Sequence, residues 1–278
     1  MKLAIRHTTT YRYTQPLLYS VQNLHLWPQS GPAQTVLNWN ISAPAQLNAQ
    51  DDGQGNLVHS FSLLAQAQDK RHSCLIEASG SVQTHGVSIF TEPQLLVPPA
   101  FFLRSAPLAE AHPRLAEWAR AAVPALASSL DAGQLPAPDH LVALAAAVSD
   151  RVRYRTGSTD VETTAAEAFD WERGVCQDQA HVMVAVCRSL GLPARYVSGY
   201  FYAANEPELA SHAWADVCLD PAQPRWISLD VTHRCPIDQR HIRLAAGTDY
   251  NVCPPVRGLR RGGGVESMEV NIQIAPLA

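Results

Sequence analysis

Residues 211–231 read SHAWADVCLDPAQPRWISLDV, two alternating runs joined by the short, proline-containing segment DPAQP. Side chains alternate across a strand, so His212, Trp214, Asp216 and Cys218 share one face of the first run, opposite Ala213, Ala215, Val217 and Leu219. In the second run Trp226, Ser228 and Asp230 share a face, opposite Ile227, Leu229 and Val231. So short a connection predicts an antiparallel hairpin. With Leu219 opposite Arg225, paired residue numbers sum to 444. Trp214 then faces Asp230, and His212 lies diagonal to Asp230, about 7–8 Å away. A shift of two in that sum puts His212 directly opposite Asp230. A shift of one would separate them. An imidazole and a carboxylate are thus predicted on one face of one sheet. Asp216 shares that face and is the rival partner for His212; Asp230 is favoured because it comes from the neighbouring strand.

The 278 residues suffice for one large domain or two smaller ones, and 46% hydrophobic against 17% charged residues allows a packed core. The first hundred residues are β-rich: LAIRHTTTYRYT, VLNWNISA, NLVHSFSLL and SCLIEASGSVQTH are strand candidates, separated by the turn segments QSGPAQ and QDDGQGN. Strands at this spacing suggest a sandwich or barrel-like module. VPPAFFLRSAP reads as a linker. HPRLAEWARAAVPAL, PDHLVALAAAVSDRVRY and VCQDQAHVMVAVCRSLGL follow as helices, the last stopped by Gly191 and Pro193. Strands ARYVSGYFY, SHAWADVCL, RWISLDV and VESMEVNIQI come after them, and RGLRRGGG at 257–264 reads as a solvated, flexible loop. The expected class is α+β, with a β-rich domain at 1–100 and a helix-plus-sheet core with C-terminal strands at 101–278.

A net charge of −4 disfavours a nucleic-acid binder, which needs clustered Lys and Arg. No run of about 20 apolar residues predicts a membrane span, and MKLAIRHTTTYRYTQP lacks the apolar segment of a secretory signal. Six dispersed cysteines without a CxxC pair point to reduced thiols and a cytoplasmic location. HExxH, HxxxH and DxDxDG patterns are absent from any clear element, so neither metal nor cofactor is expected.

Cys176 follows Gly174-Val175 at the first turn of the third helix. A helix N-terminus presents unsatisfied N–H groups and the positive end of the dipole, which stabilise a thiolate, the nucleophilic form. A cysteine in a helix is more often a core filler, and Cys187, 11 residues on and among apolar neighbours, reads as one. Asp178 and His181 point away from the Cys176 stripe. Asp178 reads as a complement to the dipole, and neither residue reads as the base. His212 can take the thiol proton and return it to a leaving amine, while Asp230 fixes the ring. The Cys176 backbone N–H is a natural oxyanion donor; Tyr154 in RVRYRTGST is a candidate second.

GVCQDQAHVMVAVCRSLGLPARYVSGY, SHAWADV and WISLDVTH together resemble the core of the bacterial transglutaminase-like family. HTTTYRYTQPL with DDGQGN resembles the family's N-terminal region, and HIRLAAGTDYNVCPPVRGLRRGG the segment that closes its core. The resemblance implies a papain-like fold and a triad of Cys176 as nucleophile, His212 as base and Asp230 as orienting acid. This chain departs from the pattern at Val231, where Pro is usual, at Gln179, where an aromatic is usual, and at Thr248, where Arg is usual. These departures are expected to alter the rim of the site. The implied activity is cysteine-dependent acyl transfer on a peptide or protein amide through a thioester, as a peptidase or amidase if water resolves it, or as a transglutaminase if an amine does. Excess water favours hydrolysis. The competing expectation is a non-catalytic binding scaffold with a vestigial triad.

Overall fold

The computed structural model describes residues 1–64, 72–92, 97–204 and 211–277. Seven strands come first: β1 (Lys2–Tyr13), β2 (Leu17–Leu24), β3 (Gln34–Ser42), β4 (Asn48–Asp51), β5 (Leu57–Leu64), β6 (Ser73–Thr84) and β7 (Ile89–Thr91). A mixed region follows, with α1 (Pro113–Ala122), α2 (Pro124–Asp131), α3 (Pro138–Arg151), β8 (Arg153–Tyr154), α4 (Ala165–Trp171), β9 (Arg173–Gly174) and α5 (Cys176–Ser189). Strands return as β10 (Ala194–Phe201), β11 (Ser211–Asp220), β12 (Arg225–Asp230), β13 (Cys235–Pro236), β14 (His241–Gly247), β15 (Val256–Gly262) and β16 (Glu266–Pro276). The class is α+β with mostly antiparallel sheets. No helix among the described residues is long and apolar enough to cross a membrane.

Two four-stranded sheets, ordered β16-β1-β6-β3 and β15-β2-β5-β4, share one apolar core. Alternation drives this: β1 buries every second residue, Leu3, Ile5, His7, Thr9, Tyr11 and Tyr13, while the intervening positions remain wetter. Both C-terminal strands, grouped by sequence with the 101–278 core, lie in these sheets. β16 pairs with β1 over Leu3↔Pro276 to Tyr13↔Glu266, and β15 pairs with β2. RGLRRGGG is therefore not the loop the sequence suggested. Its first six residues, 257–262, are strand, and the amide end of Gln22 packs over Gly258, 2.2 Å from where a Cβ would lie, so a side chain there would have to displace it.

The second layer system is a sheet ordered β13-β12-β11-β10-β14, with β7 on β12 and helices on one face. Ala213, Ala215, Val217 and Leu219 of β11 pack with α5, α3 and α4 in a single core. The HPRLAEWARAAVPAL segment forms two helices because Pro124 restarts the chain at the first position of α2. The helix α4 was not anticipated. Its capping box was visible as Thr164…Glu167: the Glu167 carboxylate accepts the Thr164 N–H at 2.9 Å and Thr164 Oγ1 accepts the Glu167 N–H at 3.3 Å. Gly191, at φ +77°, ends α5 in the left-handed region that glycine enters without strain.

The linker at 97–107 is anchored. Phe102 is buried and meets Trp226 edge to face, and its carbonyl accepts from Arg188, which also binds the carbonyls of Ala109, Ala194 and Thr248. β14 is an edge strand, and side-chain amides from the N-terminal sheets take the place of a neighbour. Gln34 accepts the Arg243 N–H at 2.8 Å and donates to its carbonyl at 2.9 Å; Asn56 does the same for Ala246 at 2.8 Å each. Buried backbone groups at an edge need such partners.

Candidate active site

β11 and β12 pair in the register with sum 444: Ala215↔Leu229, Asp216↔Ser228, Val217↔Ile227 and Cys218↔Trp226. A bulge then places Asp220, not Leu219, opposite Arg225. The Asp220 carboxylate accepts the Ala222 N–H of the turn at 2.9 Å. His212 is diagonal to Asp230, and the two side chains meet, with Nε2 of His212 2.8 Å from Oδ2 of Asp230. Both are buried.

Cys176 begins α5 and is half-buried, with a free thiol. It stands close enough to the His212 ring to help raise that ring's pKa. Because Nε2 of His212 is taken by Asp230, Nδ1 is the nitrogen left for sulfur. Burial would lower the His212 pKa, but the hydrogen bond and charge of Asp230, together with Cys176, overcome it and raise the value to about 10. Burial likewise opposes ionisation of Asp230, yet the hydrogen bond and charge of His212, with further hydrogen bonds from His233 and His241, hold its carboxyl far below the usual range. Cys187 lies wholly in the core, where burial pushes its thiol up to about 12.

The first turn of α5 is tied down by Asp178. Its Oδ2 accepts the Val175 N–H and the Thr159 hydroxyl, each at 2.7 Å, so the loop before α4 is strapped against the start of the helix. Desolvation raises the Asp178 pKa, against the pull of these bonds. Gly174 has no room for a side chain, since a Cβ would lie 2.6 Å from that of Asp178. His181 is a core histidine. Its Nε2 accepts the Tyr250 N–H at 3.1 Å, and burial, helped by the nearby Arg188 charge, lowers its pKa to about 3, so the ring is neutral. Tyr154 pairs with Gly174 in the β8–β9 bridge, just ahead of Cys176.

The departures from the family pattern do not shape a rim at two of the three positions. Gln179 is buried and joins two segments, donating to the Val152 carbonyl and accepting from the Thr232 hydroxyl, each at 2.7 Å. Val231 is a core residue. Thr248 is half-buried, its carbonyl held by Arg188.

Asp216 is not the partner of His212. Its Oδ2 binds Arg195 at 2.9 Å and Arg243 at 2.6 Å, its other oxygen takes the Ser228 hydroxyl, and Arg195 continues to Glu92 at 2.6 Å. This ion network lies beside a cavity of about 350 Å³ on the face of the sheet away from α5, which Trp214 and His241 also line.

Sequence reasoning missed two histidines. His233 Nδ1 and His241 Nε2 lie 2.7 and 2.8 Å from the same Asp230 Oδ2 that His212 binds. His212, Asp230 and His241 are close enough to hold a metal ion, their ligand atoms lying within 4.8 Å of one another. The observed spacings around the shared oxygen are those of hydrogen bonds, with the carboxylate between the rings. The signal in the sequence was three histidines near the ends of neighbouring strands, but the turns from Asp230 to His241 hid their register.

The model of the transglutaminase-like superfamily matches residues 124–231, from the start of α2 to just past Asp230, and the bacterial transglutaminase-like N-terminal region matches residues 3–83. An uncharacterized protein of Mycobacterium leprae is 28% identical over 290 residues, covering 100% of this chain and 99% of that protein. An uncharacterized protein of Mycobacterium tuberculosis is 29% identical, covering 98% of this chain and 92% of its own length. Among solved structures, a "putative cysteine protease" from Cytophaga hutchinsonii superposes with a TM-score of 0.76 at 20% identity, covering 100% of this chain and 91% of that one, a likeness of fold. Core, N-terminal region and architecture agree: the chain carries a transglutaminase-like core at 124–231 behind a bacterial transglutaminase-like N-terminal region at 3–83.

Proposed function

We propose that this protein is a cysteine-dependent acyl-transfer enzyme acting on amide bonds of a peptide or protein. The observation that supports it is the buried hydrogen bond between Asp230 and His212, with the Cys176 thiol beside that ring at a helix N-terminus. In this reading the Cys176 thiolate attacks the amide carbon, and the oxyanion is met by the Cys176 backbone N–H, with Tyr154 as candidate second donor. The C–N bond breaks as the His212 imidazolium gives its Nδ1 proton to the leaving amine, leaving a thioester. Water or a primary amine then attacks, gives its proton to His212 and releases an acid or a new amide. Asp230 stays ionised throughout and holds the ring. Hydrolysis is the favoured outcome, water being in excess.

Alkylation of the thiol tests the activation step without a substrate. Iodoacetamide modifies Cys176 readily at pH 6, and His212→Ala moves that reactivity to the pH range of an ordinary thiol, about 8.5. With the His212 pKa raised to about 10, the imidazolium persists through neutral pH, and activity falls as pH rises through that value. Stability follows the same sign: the ion pair's contribution is complete below the unfolded histidine pKa of about 6.5 and is lost as pH approaches 10.

The product identifies the acceptor. A glutamine-bearing peptide incubated with a fluorescent primary amine yields free acid for a hydrolase and conjugate for a transglutaminase, distinguished by mass spectrometry. No product over a broad panel of amides, with ordinary thiol reactivity at Cys176, would mark the protein as a binding scaffold instead.

A further inference from the structure

Asp230 is the only acid the proposed triad uses, yet three imidazoles are directed at one of its oxygens. Oδ2 meets His212 Nε2 at 2.8 Å, His241 Nε2 at 2.8 Å and His233 Nδ1 at 2.7 Å, while Oδ1 accepts the His233 backbone N–H at 3.1 Å. The three rings enclose Phe201, whose centroid is 5.3, 4.5 and 4.9 Å from those of His212, His233 and His241. His241 is the inner member, its side chain fully buried, whereas that of His233 is 29% exposed.

The protonation of His241 follows from its other nitrogen. The Asp238 backbone N–H lies 3.1 Å from Nδ1 of His241 and can only donate. An Nδ1 that accepts this N–H leaves the ring proton on Nε2, aimed at Asp230. The Asp238 carboxylate also stands near, at 3.3 Å, but is engaged by Arg240 at 2.7–3.1 Å. The groups facing this ring are thus Asp230 from β12, His212 from β11, and Asp238 and Arg240 from the turn before β14.

We propose that His241 is a positioning residue of the active site: as an Nε2–H donor to Asp230 it locks the carboxylate in the orientation that keeps the His212 ring turned with Nδ1 toward Cys176. A carboxylate held by one mobile ring can rotate about its own bond. Here a second buried ring, anchored by a backbone N–H, fixes Oδ2 whether or not His212 carries its second proton. The role is that of a supporting group which orients a reacting one without touching substrate.

This inference rests on the acyl-transfer reading, and its test separates the two. ¹⁵N-histidine NMR on the wild-type protein reports tautomers directly. His241 is expected protonated on Nε2 with Nδ1 an acceptor, and His212 is expected to show one ordered state with a hydrogen-bonded Nε2 proton. In His241→Leu the His212 resonances broaden or split between tautomers, and the iodoacetamide rate at Cys176 at pH 7 falls about tenfold with an altered pH profile. In His241→Gln, whose side-chain N–H can reach the same oxygen, the rate recovers to within about threefold. Nδ1 protonation of His241 in the wild type overturns the proposal. So does a folded His241→Leu whose His212 spectrum and pH profile are unchanged, or a Gln variant no better than Leu. If the Leu variant does not fold, the wild-type tautomer and the Gln variant still decide. Ordinary thiol reactivity in the wild type would defeat the acyl-transfer reading alone, leaving the tautomer measurement to judge His241.

Discussion

Cys176→Ala lowers kcat/KM on an amide substrate by about 10⁴- to 10⁶-fold, the scale of loss when the nucleophile of a hydrogen-bonded triad is removed. The variant keeps its fold, because Cys176 is half-buried at a helix start and alanine is a better helix former there than cysteine. His212→Ala costs nearly as much, since the ring both activates the sulfur and protonates the leaving amine. The diagnostic is the double variant. Residues that act as one unit are strongly non-additive, so Cys176→Ala/His212→Ala is no slower than Cys176→Ala within about threefold. Losses that multiply across the two sites would show that sulfur and imidazole work separately, and the proposed mechanism would not survive that result. Steady-state kinetics on one substrate, with circular dichroism to verify folding, suffices.

The second large effect concerns stability. Asp216→Ala destabilises the protein by about 3–5 kcal/mol, the usual cost of breaking a buried ion network from one side. Its carboxylate is fully buried between Arg195 and Arg243, and Arg195 is itself buried against the ring of Trp226, 4.4 Å from guanidinium to centroid. Arg195 keeps Glu92, but Arg243 has no other carboxylate within reach among the described residues. Urea unfolding at pH 7 measures the loss as a lower midpoint with an unchanged slope. The pH dependence has a definite sign. Burial alone would raise the Asp216 pKa, but the charges of Arg243 and Arg195 overcome it and depress the value. Its stabilisation is present above the unfolded carboxylate pKa of about 3.9 and is lost as pH falls through the lower folded value. The gap between wild type and variant therefore persists at pH 5 and narrows only in strong acid. A variant as stable as the parent at pH 7 would show that the network contributes nothing net.

The hairpin register was legible from local information because its two strands alternate cleanly and the turn between them is short, so the numbering of one strand sets the other. The bulge at Asp220 was not, since it falls at the end of the strand, where alternation gives way to the turn. Helical spacing turns Asp178 and His181 away from the Cys176 stripe, but their partners Thr159, Val175 and Tyr250 come from loops whose positions no period encodes. The strand Val256–Gly262 is the clearest failure. VRGLRRG is charged, glycine-containing and weakly alternating, and it becomes a strand because β2 lies ready to pair with it. That is non-local partnership overriding local propensity. The two extra histidines on Asp230 were hidden for a related reason: they sit on a turn and on the far edge strand, and only the closed sheet brings them to one oxygen.

β1 is flanked by β6 on one side and by β16 on the other, and β2 by β5 and β15. On the ribosome, then, the first strands emerge with one flank bare and stay so until residues 256–276 have been made. Exposed strand flanks invite pairing with other nascent chains. Truncation after Pro255 would leave those flanks permanently open, and such a chain is expected to depend on chaperones or to aggregate, even with every residue of the proposed triad present.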